Sequence, residues 1–156
     1  VIPSGPLRER LYNIKKYDCI FLNGNLENLE NIKKEIVTIH SKANIYIGQY
    51  KILNIDEINL YDNYFAFSGI GNHKTFLSTL KAYKINVMED LEFPDHYEYT
   101  NKDLDKIITS SKKFNSKIIT TEKDYLRIDN QIKKEIQFVK SELIIIDEEK
   151  FIKQII

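Results

Sequence analysis

The chain has 156 residues, 42% of them hydrophobic and 29% charged, which is enough to enclose one sizeable core within the usual size of a single domain. Its 23 lysines and arginines balance 23 aspartates and glutamates, which argues against a global positive field for nucleic acid. The single cysteine, Cys19, excludes a disulfide framework or a cysteine-based metal site within one chain, and its place in the run Cys19-Ile20-Phe21-Leu22 marks it as a small buried hydrophobe.

The chain starts at Val1, and "VIPSGPLRER" reads like the middle of something, so an N-terminal portion is expected to be missing. No apolar run approaches the roughly 20 residues that span a bilayer, and no charged segment followed by an apolar one marks a signal peptide. The expectation is a soluble chain in a reducing compartment. Residues 1–16 read as a linker segment. Within it two prolines and a glycine stiffen the backbone, so Arg8 and Glu9 are presented near a helix start. Arginine there suits a bidentate phosphate contact and glutamate suits Mg²⁺, whereas the plainer reading is a surface ion pair at the end of a linker.

From residue 17 to 156 the pattern predicts one α/β domain. Apolar β-rich runs alternate with segments of helical period, as in βα units around a mostly parallel sheet. The predicted strands are Asp18–Leu22, Asn44–Gly48, Tyr64–Ser68, Asn86–Leu91, Lys117–Thr120 and Glu142–Ile146. The helical stripes are Leu26, Leu29, Ile32 and Ile36; then Phe76, Leu77, Leu80 and Tyr83; then Leu104, Ile107, Ile108 and Phe114; and a closing helix with Phe151, Ile152 and Ile155. These stripes are core-facing surfaces. Lys51–Asn63 is polar enough for a loop or short irregular excursion, and the pairs Lys33-Lys34 and Lys133-Lys134 read as solvated faces.

Three segments at predicted strand ends carry polar groups suited to chemistry. Ser68-Gly69-Ile70-Gly71-Asn72-His73 lets backbone N–H groups approach an anion at a helix N-terminus, but position 74 is Lys74 where a dinucleotide fingerprint needs a third glycine; a tight turn explains it as well. Thr120-Thr121-Glu122-Lys123-Asp124 resembles a variant capping box, which leaves Lys123 without a task. In Glu92-Phe93-Pro94-Asp95-His96-Tyr97-Glu98-Tyr99-Thr100, Thr100 and Asp103 form a helix start, so Asp95 and His96 fall on a loop at a strand's end. An imidazole there exchanges protons near neutral pH and an adjacent carboxylate fixes its tautomer; a satisfied surface histidine is the alternative. His40 and His73 make weaker candidates, and the three histidines show no zinc-ligand spacing. The chain lacks a G-x-x-x-x-G-K-[ST] phosphate loop, a G-x-S-x-G elbow and H-E-x-x-H.

In this order, "IPSGPLRERL", "DCIFLNG", "FAFSGIGNHKTF", "FPDHYEYT" and "IITTEKDYLRI" resemble the C-terminal half of the tetraacyldisaccharide 4′-kinase family of lipid A biosynthesis, over about Ile2 to Ile128. The resemblance implies a Rossmann-like C-terminal domain of a P-loop kinase. It implies transfer of the ATP γ-phosphoryl group, with Mg²⁺, to the 4′-hydroxyl of tetraacyldisaccharide 1-phosphate, giving lipid IVA, at the cytoplasmic face of the bacterial inner membrane. The family's phosphate loop, its Mg²⁺-binding aspartates and one partner of the catalytic Asp–His pair belong to an N-terminal half that this sequence does not contain. By the same resemblance His96 of "FPDH" works with that aspartate on the sugar hydroxyl, Asp95 orients, Arg8 and Glu9 lie near the ATP phosphates and metal, and Lys123 faces the interdomain cleft. Two other readings remain open: a noncatalytic α/β binding module or remnant of a split kinase gene, and, disfavoured by Lys74, a Rossmann oxidoreductase.

Overall fold

The structure, a computed structural model, describes residues 10–23, 26–128 and 131–156. Contacts group them into two compact units: the described residues through Gln49 together with those from Leu143 onward, and Tyr50–Glu142.

In the first unit Leu11–Lys16, inside the expected linker, forms a 3₁₀ helix. Strand β1 (Cys19–Asn23) runs parallel to β2 (Asn44–Ile52), with Cys19 opposite Asn44 and Asn23 opposite Gly48. Helix α1 (Leu26–Ile39) connects them and buries Leu29 and Ile36, while Ile32 of the same predicted stripe stays exposed. Cys19 is half-buried, which corrects the expectation of a buried thiol: β1 is an edge strand with only β2 beside it. Helix α5 (Glu148–Ile155) sets the Phe151 ring against Tyr46 at 5.1 Å and Phe21 at 6.0 Å. Gly48 is needed for close approach, because a Cβ there would stand 2.6 Å from the Phe21 ring and 3.0 Å from Leu143.

The second unit is built on a four-stranded sheet in which β3 (Asn63–Ser68) pairs in parallel with β4 (Asn86–Glu92) on one side and β5 (Lys117–Thr121) on the other, and β5 pairs in parallel with β6 (Ile136–Val139). The order is β4-β3-β5-β6. Strand β3 is covered on both faces, and its near-continuous apolar run Tyr64-Phe65-Ala66-Phe67 follows from that. Tyr64 and Ala66 join Phe76 and Leu80 of α2 (His73–Ala82) in one cluster; Phe65 and Phe67 join Leu104 and Ile107 of α3 (Asn101–Lys113) in the other. Helices therefore flank a parallel sheet, as the alternating pattern predicts. Strand ends differ from the predicted ones by a residue or two, and β2 continues to Ile52.

Sequence reading passed over β6. The strand has four residues, and polar Gln137 and half-buried Phe138 separate its buried ends, Ile136 and Val139. Part of its edge is completed by a side chain: Asn54 donates Nδ2–H to the Phe138 carbonyl at 3.0 Å and accepts the Lys140 N–H at 2.9 Å, as a peptide unit would. The polar stretch after β2 thus has a definite task.

The connection from β3 through α2 leads outward to β4, whereas that from β4 through α3 crosses back over β3 to β5. Loops leaving the carboxyl ends of β3 and β5 therefore diverge, and ligand crevices in open parallel sheets form at such a switch point.

Candidate functional site

Three loops meet at that carboxyl edge: Gly69–Asn72 after β3, Phe93–Thr100 after β4, and the short helix α4 (Glu122–Arg127) after β5. The Phe93 N–H donates to the Ser68 carbonyl at 2.8 Å and the His96 N–H to the Gly69 carbonyl at 3.0 Å, so the second loop is laid along the first. Aromatic packing holds it down. Phe93 and Tyr99 both meet the Phe67 ring edge-on, at 6.4 and 5.4 Å, and Tyr97 covers Phe93 at 4.9 Å. Gly69 has no room for a side chain: a Cβ would lie 3.0 Å from the Tyr99 hydroxyl, 3.1 Å from the Pro94 carbonyl and 3.1 Å from Tyr97 Cβ.

Asp124 links the first loop to α4. Its carboxylate is fully buried; Oδ2 accepts the Gly69 N–H at 3.1 Å and the Thr121 hydroxyl at 2.7 Å. Thr121 Oγ1 in turn accepts the Asp124 N–H at 3.2 Å. Half of the predicted capping box is present, but the carboxylate reaches across to the β3 loop where a full box would satisfy its own helix start. Arg127, one turn on, donates Nη1–H to Asp124 Oδ1 at 3.4 Å and to the Gly69 carbonyl at 3.2 Å, and Nη2–H to His96 Nδ1 at 3.0 Å. The Tyr99 hydroxyl is buried without a hydrogen bond of good geometry; burial first, then the Asp124 charge, holds the phenol well above its ordinary pKa.

His96 sits in the left-handed region, φ 60°, a conformation that costs a non-glycine residue energy and occurs often at functional positions. Its side chain is 76% exposed, and Nε2 lies 3.8 Å from Asp95 Oδ2, beyond hydrogen-bond reach. The Asp95 carboxylate instead lies over Gly71, 3.4 Å from where a Cβ would be. Asp95 and His96 are thus together at the carboxyl edge. Lys123 is exposed on α4 with no hydrogen bond or ion pair among the described residues. Arg8 and Glu9 lie outside the described residues.

A second polar chain braces the loop from below. His73, the first residue of α2 and 3% exposed, has Nε2 at 2.9 Å from Asp90 Oδ2 and Nδ1 at 2.6 Å from the buried Ser68 hydroxyl. A carboxylate only accepts, so Nε2 carries the proton and Nδ1 accepts from Ser68. Sequence reasoning had ranked His73 low and missed Asp90, Asp124 and Arg127 as site residues. For Arg127 a signal existed, since it stands at i+3 from Asp124; for Asp90, 17 positions from its histidine, none did. Beyond the loops, Thr100 and Asp103 form the predicted capping box on α3, and these bonds, the Thr100 hydroxyl foremost, hold the Asp103 carboxyl below its ordinary value.

A parallel α/β sheet with its polar loops gathered at a carboxyl-end switch point defines an open α/β protein of the kind that binds ligands at that edge, and similarity to known proteins narrows the class. The chain belongs to the tetraacyldisaccharide-1-P 4′-kinase family, LpxK, whose family model matches residues 1–156. It is 54% identical to the tetraacyldisaccharide 4′-kinase of Pelagibacter ubique (strain HTCC1062) over 99% of this chain and 49% of the relative, and 43% identical to that of Rickettsia bellii (strain OSU 85-389) over 82% of this chain and 38% of the relative. It therefore spans about half the length, or less, of these relatives. Among solved structures, LpxK from Aquifex aeolicus in complex with ATP matches with a TM-score of 0.52 and 23% identity, covering 99% of this chain and 47% of that one, which supports the fold.

Proposed function

We propose that this chain forms the C-terminal part of a lipid A 4′-kinase that transfers the γ-phosphoryl group of ATP to the 4′-hydroxyl of tetraacyldisaccharide 1-phosphate. The family membership supports the reaction class. The observation that carries the site is the exposed His96 ring, presented on a strained backbone at the sheet's carboxyl edge and anchored through Nδ1 by Arg127. Phosphoryl transfer asks a protein mainly for positioning and charge stabilisation, and a ring so anchored is pre-oriented toward whatever docks above it.

In this reading the portion of the kinase that the chain does not span supplies the phosphate loop and the aspartate with which His96 works, while Asp95 helps shape the loop. Arg8, Glu9 and Lys123 contribute positive and metal-directed charge toward ATP. Among the described residues no group of three His, Cys, Asp or Glu forms a metal cage, and Mg²⁺, which keeps waters and substrate phosphates around one or two carboxylates, would be held by Glu9 together with the ATP phosphates. No described helix is long and apolar enough to cross a membrane, which is compatible with peripheral attachment at the cytoplasmic face of the inner membrane.

The test is transfer of labelled phosphate from ATP to tetraacyldisaccharide 1-phosphate by the natural polypeptide that contains this sequence. His96→Ala is expected to lower kcat by about 10²-fold or more while the chemical-shift pattern of the core stays unchanged. Near-normal turnover in that variant would reject the assignment, and absence of transfer by the unmodified protein would favour a noncatalytic module.

A further inference from the structure

Ser68 closes a ring of hydrogen bonds beneath the site. Its hydroxyl donates to His73 Nδ1 at 2.6 Å, and His73 Nε2–H donates to Asp90 Oδ2 at 2.9 Å. Asp90 stands three residues before Phe93, whose N–H returns to the Ser68 carbonyl at 2.8 Å. The ring joins the end of β3, the first residue of α2 and the end of β4, at the point where the Phe93–Thr100 loop departs.

That point has little other support, because β4 is an edge strand with only β3 beside it. Its last residues alternate between faces: Leu91 packs into the cluster on the α3 side, and Asp90 reaches His73 on the α2 side. The two ends of this contact differ in burial, the His73 side chain being 3% exposed and that of Asp90 43%. Water competes for a carboxylate so exposed, and its bond adds little to global stability. What the bond does is hold the edge strand on the face that Leu91 does not reach.

We propose that His73 and Asp90 are positioning residues for the reaction at this edge: their bond fixes the end of β4 against the start of α2 and so sets where the loop bearing Asp95 and His96 stands. The consequence for turnover rests on the kinase reading, whereas the placement of the loop does not. Phosphoryl transfer is sensitive to such placement, since a displacement of about 1 Å can cost about 10²-fold in rate.

Asp90→Ala tests this, and because the residue is on the surface the variant is expected to fold and to melt within about 2 °C of wild type. In the chain itself, amide hydrogen exchange should quicken at least about tenfold at the Phe93 and His96 N–H groups and stay unchanged at Ile119 in the buried strand β5. In the natural polypeptide kcat should fall about tenfold with little change in KM for ATP. Asp90→Asn, whose amide oxygen still accepts the Nε2–H, should restore exchange and turnover to near wild type. Unchanged exchange at Phe93 and His96, or turnover within about twofold of wild type, in Asp90→Ala overturns the proposal. So does an Asp90→Asn variant as impaired as Asp90→Ala, or a melting temperature lowered by roughly 5 °C or more, which would make the contact a general support of the fold. Quickened exchange in a protein that shows no 4′-transfer would sink the kinase reading and leave the placement of the loop standing.

Discussion

His73 and His96 flank the same short loop, yet their surroundings are opposite. The His73 ring is enclosed and both nitrogens are engaged, Nδ1 by Ser68 and Nε2 by Asp90. At His96, among the described residues, Nδ1 alone is engaged, by Arg127; Nε2 lies 3.8 Å from Asp95 Oδ2 on an exposed ring. A ring with both ends satisfied can only hold things together. A ring held at one end is available for recognition, and that difference separates brace from site more reliably than the identity of the residue.

The sharpest way to break this comparison is to remove the buried anchor on the exposed side. Asp124→Ala leaves the Gly69 N–H, the Thr121 hydroxyl and a largely buried guanidinium without their common acceptor, and breaking such a buried pair costs about 3 kcal/mol or more. Equilibrium urea unfolding measures it, and a loss under 1 kcal/mol would show that the network is decorative. Next comes the enclosed side. His73→Ala opens a cavity and strands the Ser68 hydroxyl, for about 2 kcal/mol by the same method. Both variants should destabilise, but only Asp124→Ala should also release the His96 ring.

Gly69→Ala perturbs both sides at once and more gently. Its new methyl meets the Pro94 carbonyl, which is main chain and yields little, as well as Tyr97 and the Tyr99 hydroxyl; the expected loss is about 1 to 2 kcal/mol. The loop that carries His96 should shift with it, so turnover should fall further than stability alone explains.

These contrasts also explain what could be read in advance. The βα alternation, the α2 and α3 stripes and the Thr100–Asp103 cap follow from spacing within a dozen residues, and local periodicity carries such information. Strand β6 was not legible because polar Gln137 breaks its apolar pattern and half its edge is completed by Asn54, 84 positions away from Phe138. The location of His96 on a strand-end loop was legible; its anchor was not, since Arg127 is 31 positions away and reaches it only because β5 lies beside β3. Lys123, by contrast, drew notice through its motif, and among the described residues it touches none of this network.

A smaller effect, read through pH, concerns the cap that ends the His96 loop. Asp103 has a folded pKa below its ordinary value because the Thr100 hydroxyl and N–H, and then Tyr97, bond to its charged form. The stabilisation is therefore full above the unfolded carboxylate range, near pH 4, and is lost as pH falls through the depressed folded value. Asp103→Asn should melt earlier than wild type at neutral pH, and the gap should close in strong acid. A gap that stays constant with pH would mean that the cap acts through shape alone.

The smallest expected change in stability belongs to the residue expected to matter most for turnover. At φ 60° a glycine meets no steric penalty, and the exposed His96 ring contributes little packing, so His96→Gly should leave stability within about 0.5 kcal/mol of wild type or raise it slightly. The same change on the buried partner, His73→Gly, should unfold the helix start. If His96→Gly keeps the fold and loses transfer, the strain at φ 60° is maintained for the ring's chemistry, as expected of a residue held in an unfavourable conformation by its surroundings. If it costs 2 kcal/mol, His96 is a second brace, and the comparison with His73 collapses into two versions of the same structural part.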